Sequence, residues 1–143
     1  MFQHPGILAL LSGLVAQVLK VLLELLLRRR WRPHLVFTNG GMPSSHTATV
    51  TTLALEVGRR EGYGSTLFSL VLVFALFVMF EATGLRQEIG HQARVLNELM
   101  DRALHGQKVD RRRLRELMGH TWGEVGGGLV CGAVFHFLVT SLR

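Results

Sequence analysis

Ser65-Thr-Leu-Phe-Ser-Leu-Val-Leu-Val-Phe-Ala-Leu-Phe-Val-Met-Phe-Glu-Ala-Thr83 decides the fold class of this chain. It is uncharged until Glu81 and is bounded by Gly62 and Gly64 on one side and by Gly84 on the other. At ~1.5 Å per residue it reaches nearly across a hydrocarbon core of ~30 Å. A helix that is apolar all round has no polar face to offer water, so the stretch reads as a membrane span.

Two blocks further out share that character. Gly6 to Leu27 is long enough to cross and contains Gln17, Lys20 and Glu24, while Val125 to Leu142 closes the chain and is lined by Gly126, Gly127, Gly128 and Gly132. Such glycines allow close helix contact, either internally or across a homodimer. A shorter block, Ser45 to Val57, carries Thr47, Thr49, Thr51 and Thr52. Its length predicts a buried or half-spanning helix unless Gly58 and the residues before Ser45 extend it, and its polar side places it inside a bundle. Between Leu85 and Leu104 the pattern becomes amphipathic, with Leu85, Ile89, Ala93, Leu96, Met100 and Leu104 at helical spacing, and this helix is expected at the interface or packed on the bundle. The prediction is an all-α integral membrane bundle of about four transmembrane helices plus an amphipathic interfacial helix, forming one domain over residues 1–143.

Composition agrees. The 143 residues are 48% hydrophobic despite a formal net charge of +6, and the mean hydropathy is +0.30. The basic residues cluster beside apolar blocks without an aromatic-interleaved basic face, which excludes nucleic acid and suits anionic membrane lipids. Cys131, the sole cysteine, sits in an apolar block, so there is neither an internal disulfide nor a CxxC site. No basic region precedes the first apolar block and no cleavage site follows it, so a removable signal peptide is not expected.

If all four apolar blocks cross, Arg28 to Ser44 and Leu85 to Gly123 lie on one side. Of the sixteen basic residues, twelve fall in those two segments, three on the opposite side, and Lys20 within a span. The positive-inside rule makes the rich side cytoplasmic. His46, Arg86 and His120 all belong to that side.

The chemistry-bearing residues cluster accordingly. Gly40-Gly41-Met42-Pro43-Ser44-Ser45-His46-Thr47 opens the threonine-rich helix. Unpartnered first-turn amides and the helix dipole make a seat for phosphate, Ser44 or Ser45 can cap the helix, and His46 can move a proton. A plain capped helix start is the competing account. Lys20 and Glu24 stand four apart on one face, as a site candidate or as a self-satisfied ion pair. His120 has Glu124 four residues on, where a carboxylate can orient the imidazole. Thr121-Trp122-Gly123-Glu124 is equally a capping box. Arg86, directly after the longest span, suits a phosphate near the headgroup plane or serves as an interfacial anchor, and Glu81 can pair with it. Lys20, Arg86, His46 and His120 together supply two cations, a nucleophile and a proton donor, the minimum for metal-free phosphoryl transfer. A metal set of His46, His91, His120 and Glu81 lacks tight ligand spacing, so neither metal nor cofactor is expected.

These features resemble the divergent phosphatidic acid phosphatase type 2 family, related to acid phosphatases and vanadium-dependent haloperoxidases. The resemblance is carried by Lys20, Gly40 to His46, the Glu81-Ala82-Thr83-Gly84-Leu85-Arg86 stretch, Val95-Leu96-Asn97, and Gly119-His120-Thr121 with Glu124. It implies His46 as general acid, His120 as nucleophile and Glu124 as its orienting carboxylate, with Lys20 and Arg86 on the phosphate oxygens. Ser44 and Ser45 would contribute to the phosphate seat, and Glu81, Asn97 and Glu24 would support it. The chain departs from the broader superfamily pattern at Ser45, which stands for a glycine, and at Leu114, which occupies an arginine's place. Lys20 also lies far upstream of Arg32-Pro33, and Glu124 is one methylene longer than the expected aspartate. The resemblance implies hydrolysis of a lipid phosphomonoester or diphosphate through a phosphohistidine, in a multi-pass protein of the bacterial plasma membrane. Phosphatidylglycerol phosphate, phosphatidate and a polyprenyl diphosphate all fit the chemistry. The alternative is a non-catalytic membrane protein that binds or moves an anionic lipid or phosphate.

Overall fold

The computed structural model describes residues 4–29, 41–83, 85–103 and 121–142, and the regular structure among them is entirely helical. Helix α1 covers Pro5–Arg28, α2 Ser45–Glu61, α3 Thr66–Thr83, α4 Leu85–Ala103 and α5 Trp122–Ser141. Among the described residues three segments are long and apolar enough to cross a membrane: Pro5–Leu26, Thr66–Asp101, whose apolar part is α3, and Trp122–Ser141. The chain is an all-α membrane bundle, as its hydropathy pattern predicts.

The helix ends follow from local chemistry. Pro5 starts α1, where its missing N–H leaves no bond unmade. Ser65 Oγ accepts from the Phe68 amide at 3.1 Å to open α3. Helix α2 runs on through Gly58 to Glu61 and stops at Gly62, whose φ of 87° favours a residue without Cβ. That extension makes α2 a 17-residue helix, ~25 Å long.

With Glu56, Arg59, Arg60 and Glu61 in its last two turns, α2 is unsuited to stand in lipid, and it is enclosed by α1, α3 and α5. Small residues line both flanks. A Cβ on Gly13 of α1 would strike Thr49, and one on Gly128 or Gly132 of α5 would strike the carbonyl oxygens of Ser44 or Ala48. The glycine stripe of α5 is therefore used for an internal contact, at Gly128 and Gly132, whereas a Cβ on Gly126 would meet nothing within 4 Å.

Hydroxyls of α1 and α2 bond across this interior. Thr52 Oγ1 lies 2.8 Å from Ser12 Oγ of α1 and 3.0 Å from the Gly132 carbonyl of α5, and Ser12 Oγ donates to the Ala48 carbonyl at 3.2 Å. The pairings fix direction. Ser44, Ala48 and Glu56 approach Gly128, Gly132 and His136 in the same order, so α2 and α5 run parallel. Ser12 meets Ala48 and Lys20 meets Gly41, so α1 runs against them. At the end of α3, Phe80 packs edge-on against Trp122 at the start of α5, with centroids 6.1 Å apart.

Helix α4 follows α3 after one residue, and on it Gly90, Ala93 and Asn97 are buried while Ile89, Leu96 and Met100 of the expected apolar stripe are exposed.

Candidate functional site

One end of the bundle gathers the residues singled out by the sequence. Lys20, near the end of α1, is buried, and its stem lies against Gly41, where a Cβ would come within 3.3 Å of Lys20 Cδ. Gly41 has φ +88°, so both conformation and contact call for glycine there. The loop then turns through Met42 and Pro43 to Ser44, the N-cap of α2. Ser44 Oγ accepts from the Thr47 amide at 3.4 Å and from Thr47 Oγ1 at 3.1 Å. The Ser44 amide donates to the Glu124 carbonyl at 3.0 Å, tying the loop to α5.

Glu124 does two things. Its Oε2 accepts from the Thr121 amide at 3.2 Å while its own amide donates to Thr121 Oγ1 at 3.3 Å, completing the capping box legible in the sequence. Its carbonyl, held by the Ser44 amide, also ties the first turn of α5 to the loop that covers the Lys20 stem. Three segments far apart in sequence, α1, the Gly41 to Ser44 loop and the first turn of α5, thus converge on one spot.

His46 faces the other flank of α2. With Glu81, Phe74, Phe77, Val78 and Ala82 it lines a cavity of about 510 Å³ between α2 and α3. An imidazole and a carboxylate therefore share one opening. Ser44 and Ser45 are buried, and the bonds of Ser44 are those of a cap and an interhelix pin. Ser45 offers its carbonyl to Thr49 Oγ1 at 2.9 Å. Glu24 is half-buried one turn beyond Lys20, and Asn97 is buried on α4. His120 and the Arg86 side chain lie outside the described residues.

Over residues 3–135 this chain matches the Divergent PAP2 family. The chain belongs to that family. It is also 37% identical over 139 residues to the "Uncharacterized membrane protein YuiD" of Bacillus subtilis (strain 168), a match that covers 90% of this chain and 88% of that protein. No solved structure matches the chain. For this Divergent PAP2 protein, Lys20, the Gly41 to His46 loop and Glu124 occupy one end of the bundle, and Glu81 joins them from α3.

A second polar cluster, at the opposite end of α2, was not singled out by sequence reasoning. Glu56 is fully buried, and Arg59 forks onto it through Nε at 3.0 Å and Nη2 at 2.9 Å. Arg60 Nε reaches Oε1 at 2.6 Å, and His136 Nδ1 of α5 lies 3.6 Å from Oε2. The i, i+3 and i+4 spacing of Glu56, Arg59 and Arg60 is the signal that could have found it. These arginines are two of the three basic residues assigned to the sparse side, and the Glu56 carboxylate offsets one of their two charges.

Proposed function

We propose that this protein is an integral membrane phosphatase that hydrolyses a lipid phosphomonoester or diphosphate through a phosphohistidine, with its site on the cytoplasmic side. The observation that carries the reading is the convergence of Lys20, the Gly41 to His46 loop and Glu124 at one end of the bundle. His120 directly precedes Thr121, so the nucleophile of this scheme is covalently adjacent to that spot.

In this mechanism an imidazole nitrogen of His120 attacks phosphorus, the bond from phosphorus to the leaving oxygen breaks, and His46 delivers a proton to that oxygen. Water then attacks the phosphohistidine and returns the enzyme with release of inorganic phosphate. Lys20 and Arg86 stabilise charge on the equatorial oxygens, and Glu124 holds the imidazole in register. The cytoplasmic placement is supported by the sequence, which puts twelve of the sixteen basic residues in the two segments that share this side if all four apolar blocks cross.

Purified protein in detergent, with chelator present, is expected to release inorganic phosphate from phosphatidate, phosphatidylglycerol phosphate or a polyprenyl diphosphate. His120→Ala is expected to abolish release while leaving the helical signal intact. Loss of activity to chelator alone would favour a metal-dependent reaction. A second reading, an anionic-lipid binder without turnover, is favoured by the engagement of Glu124 in the α5 cap, which restrains the group meant to orient His120. Arg86-dependent phosphate binding without turnover on any of the three lipids would establish that reading instead.

A further inference from the structure

A second cavity, of about 570 Å³, runs between α1 and α5 on the side of the loop away from His46. Its walls are Val15, Leu19 and Leu23 on α1 and Val130, Val134 and Leu138 on α5, and its upper end is closed by Met42 and Pro43 of the motif loop. Glycine creates the space: Gly126 and Gly127 line it, and at Gly126 a side chain would meet open room. We propose that this groove holds one hydrocarbon chain of a membrane-lipid phosphate whose phosphate sits at the Lys20 and Glu124 end.

Three observations select that occupant. The named walls are wholly apolar, which suits hydrocarbon and gives a headgroup nothing to bond. From Gly126 to Leu138 the groove follows α5 for twelve residues, ~18 Å, slightly more than half of a ~30 Å hydrocarbon core, so its depth is that of one leaflet. Finally, the groove abuts the candidate site, because Met42 and Pro43, which close its upper end, sit between Gly41, which covers the Lys20 stem, and Ser44, which is bonded to Glu124. A chain seated there brings its phosphate to the end of α5 that His120 precedes. The inference rests on the lipid phosphate reading above and deepens it by assigning the tail to one flank of α2.

The test reads binding without turnover. The full-length protein in phosphatidylcholine nanodiscs is irradiated with hexadecylphosphonate bearing a mid-chain diazirine, whose P–C bond the proposed chemistry does not cleave, and adducts are mapped by mass spectrometry. Adducts are expected on Val130, Cys131 and Val134, and unlabelled hexadecylphosphonate should compete them away severalfold better than hexadecanol. Gly126→Leu and, independently, Val134→Trp should each lower the yield severalfold with helicity retained, whereas Leu70→Trp on the outer face of α3 should not. Adducts on Phe74, Phe77 or Val78, an even spread over lipid-facing positions, or equal competition by hexadecanol would overturn the assignment. Groove adducts without phosphate release would sink hydrolysis and keep the groove; phosphate release with adducts elsewhere would do the reverse.

Discussion

Helices α2 and α3 are nearly equal in length, 17 and 18 residues, and opposite in every other respect. The polar one is inside. Ten residues of α2 are buried, among them Ser45, Thr47, Thr51, Thr52 and Glu56, whereas on α3 only Ala75, Ala82 and Thr83 are buried. Phe77 is 67% exposed and Leu70 65%, on a helix with a single charge, Glu81. Lipid is as apolar as leucine, so burying leucine against protein gains little there, and helices associate through close backbone approach and interhelical polar contacts. Helix α2 has both, between Gly13 on one side and Gly128 and Gly132 on the other.

Putting a side chain into the glycine contact should break that contrast most severely. Gly132→Val would drive a Cβ into the Ala48 backbone, whose oxygen is 2.6 Å from the ideal position. A backbone obstacle cannot rotate away, so a loss of about 3 kcal/mol or more is expected. The readout is a fall in Tm in detergent or loss of the monodisperse species; Gly126→Ala, placed where nothing stands within 4 Å, should retain or raise Tm.

Removing the buried carboxylate comes next. Glu56→Ala strips Arg59 and Arg60 of their acceptor and opens a void at a fully buried position. Both arginines are partly exposed, so water takes up part of their charge and the expected cost is about 2 kcal/mol. Chemical denaturation in mixed micelles measures it. Glu56→Gln keeps the volume and an acceptor and should recover part of the loss.

The smallest interior effect is expected from Thr52→Val, which removes the hydroxyl's contacts to Ser12 and the Gly132 carbonyl at nearly constant shape. Interhelical hydrogen bonds in membrane proteins are worth ~0.6 to 1.7 kcal/mol. On α3, Leu70→Ala should change stability by less than about 0.5 kcal/mol. Equal effects of Thr52→Val and Leu70→Ala would remove the distinction between the two helices.

Much of the site was legible where it is local. The Thr121 to Glu124 capping box and the Ser44 cap depend on side chains three residues from their partners. Lys20 was different, because the partner that the sequence offered was Glu24, four residues on, whereas the contact of its stem with Gly41 joins segments twenty-one residues apart. The Glu56 cluster had a readable i, i+4 spacing but lay at the end of a block whose threonines drew the reading. Its completion by His136, eighty residues away, had no local signal.

The sequence by itself determined that this chain enters a membrane, how α2 and α5 are capped at Ser44 and Thr121, and which end of the bundle carries the motif. These follow from hydropathy along single segments and from caps that close within one turn. Only the tertiary structure decided that α2 is the enclosed helix, that Gly128 and Gly132 engage it while Gly126 borders a groove, and that Lys20 and His46 face opposite flanks. Hydropathy tells which surface tolerates lipid, but it does not rank the apolar and glycine-lined faces that can pack on one another. That ranking depends on which backbones approach closely enough to pair their buried hydroxyls and carbonyls, a property of two helices at once.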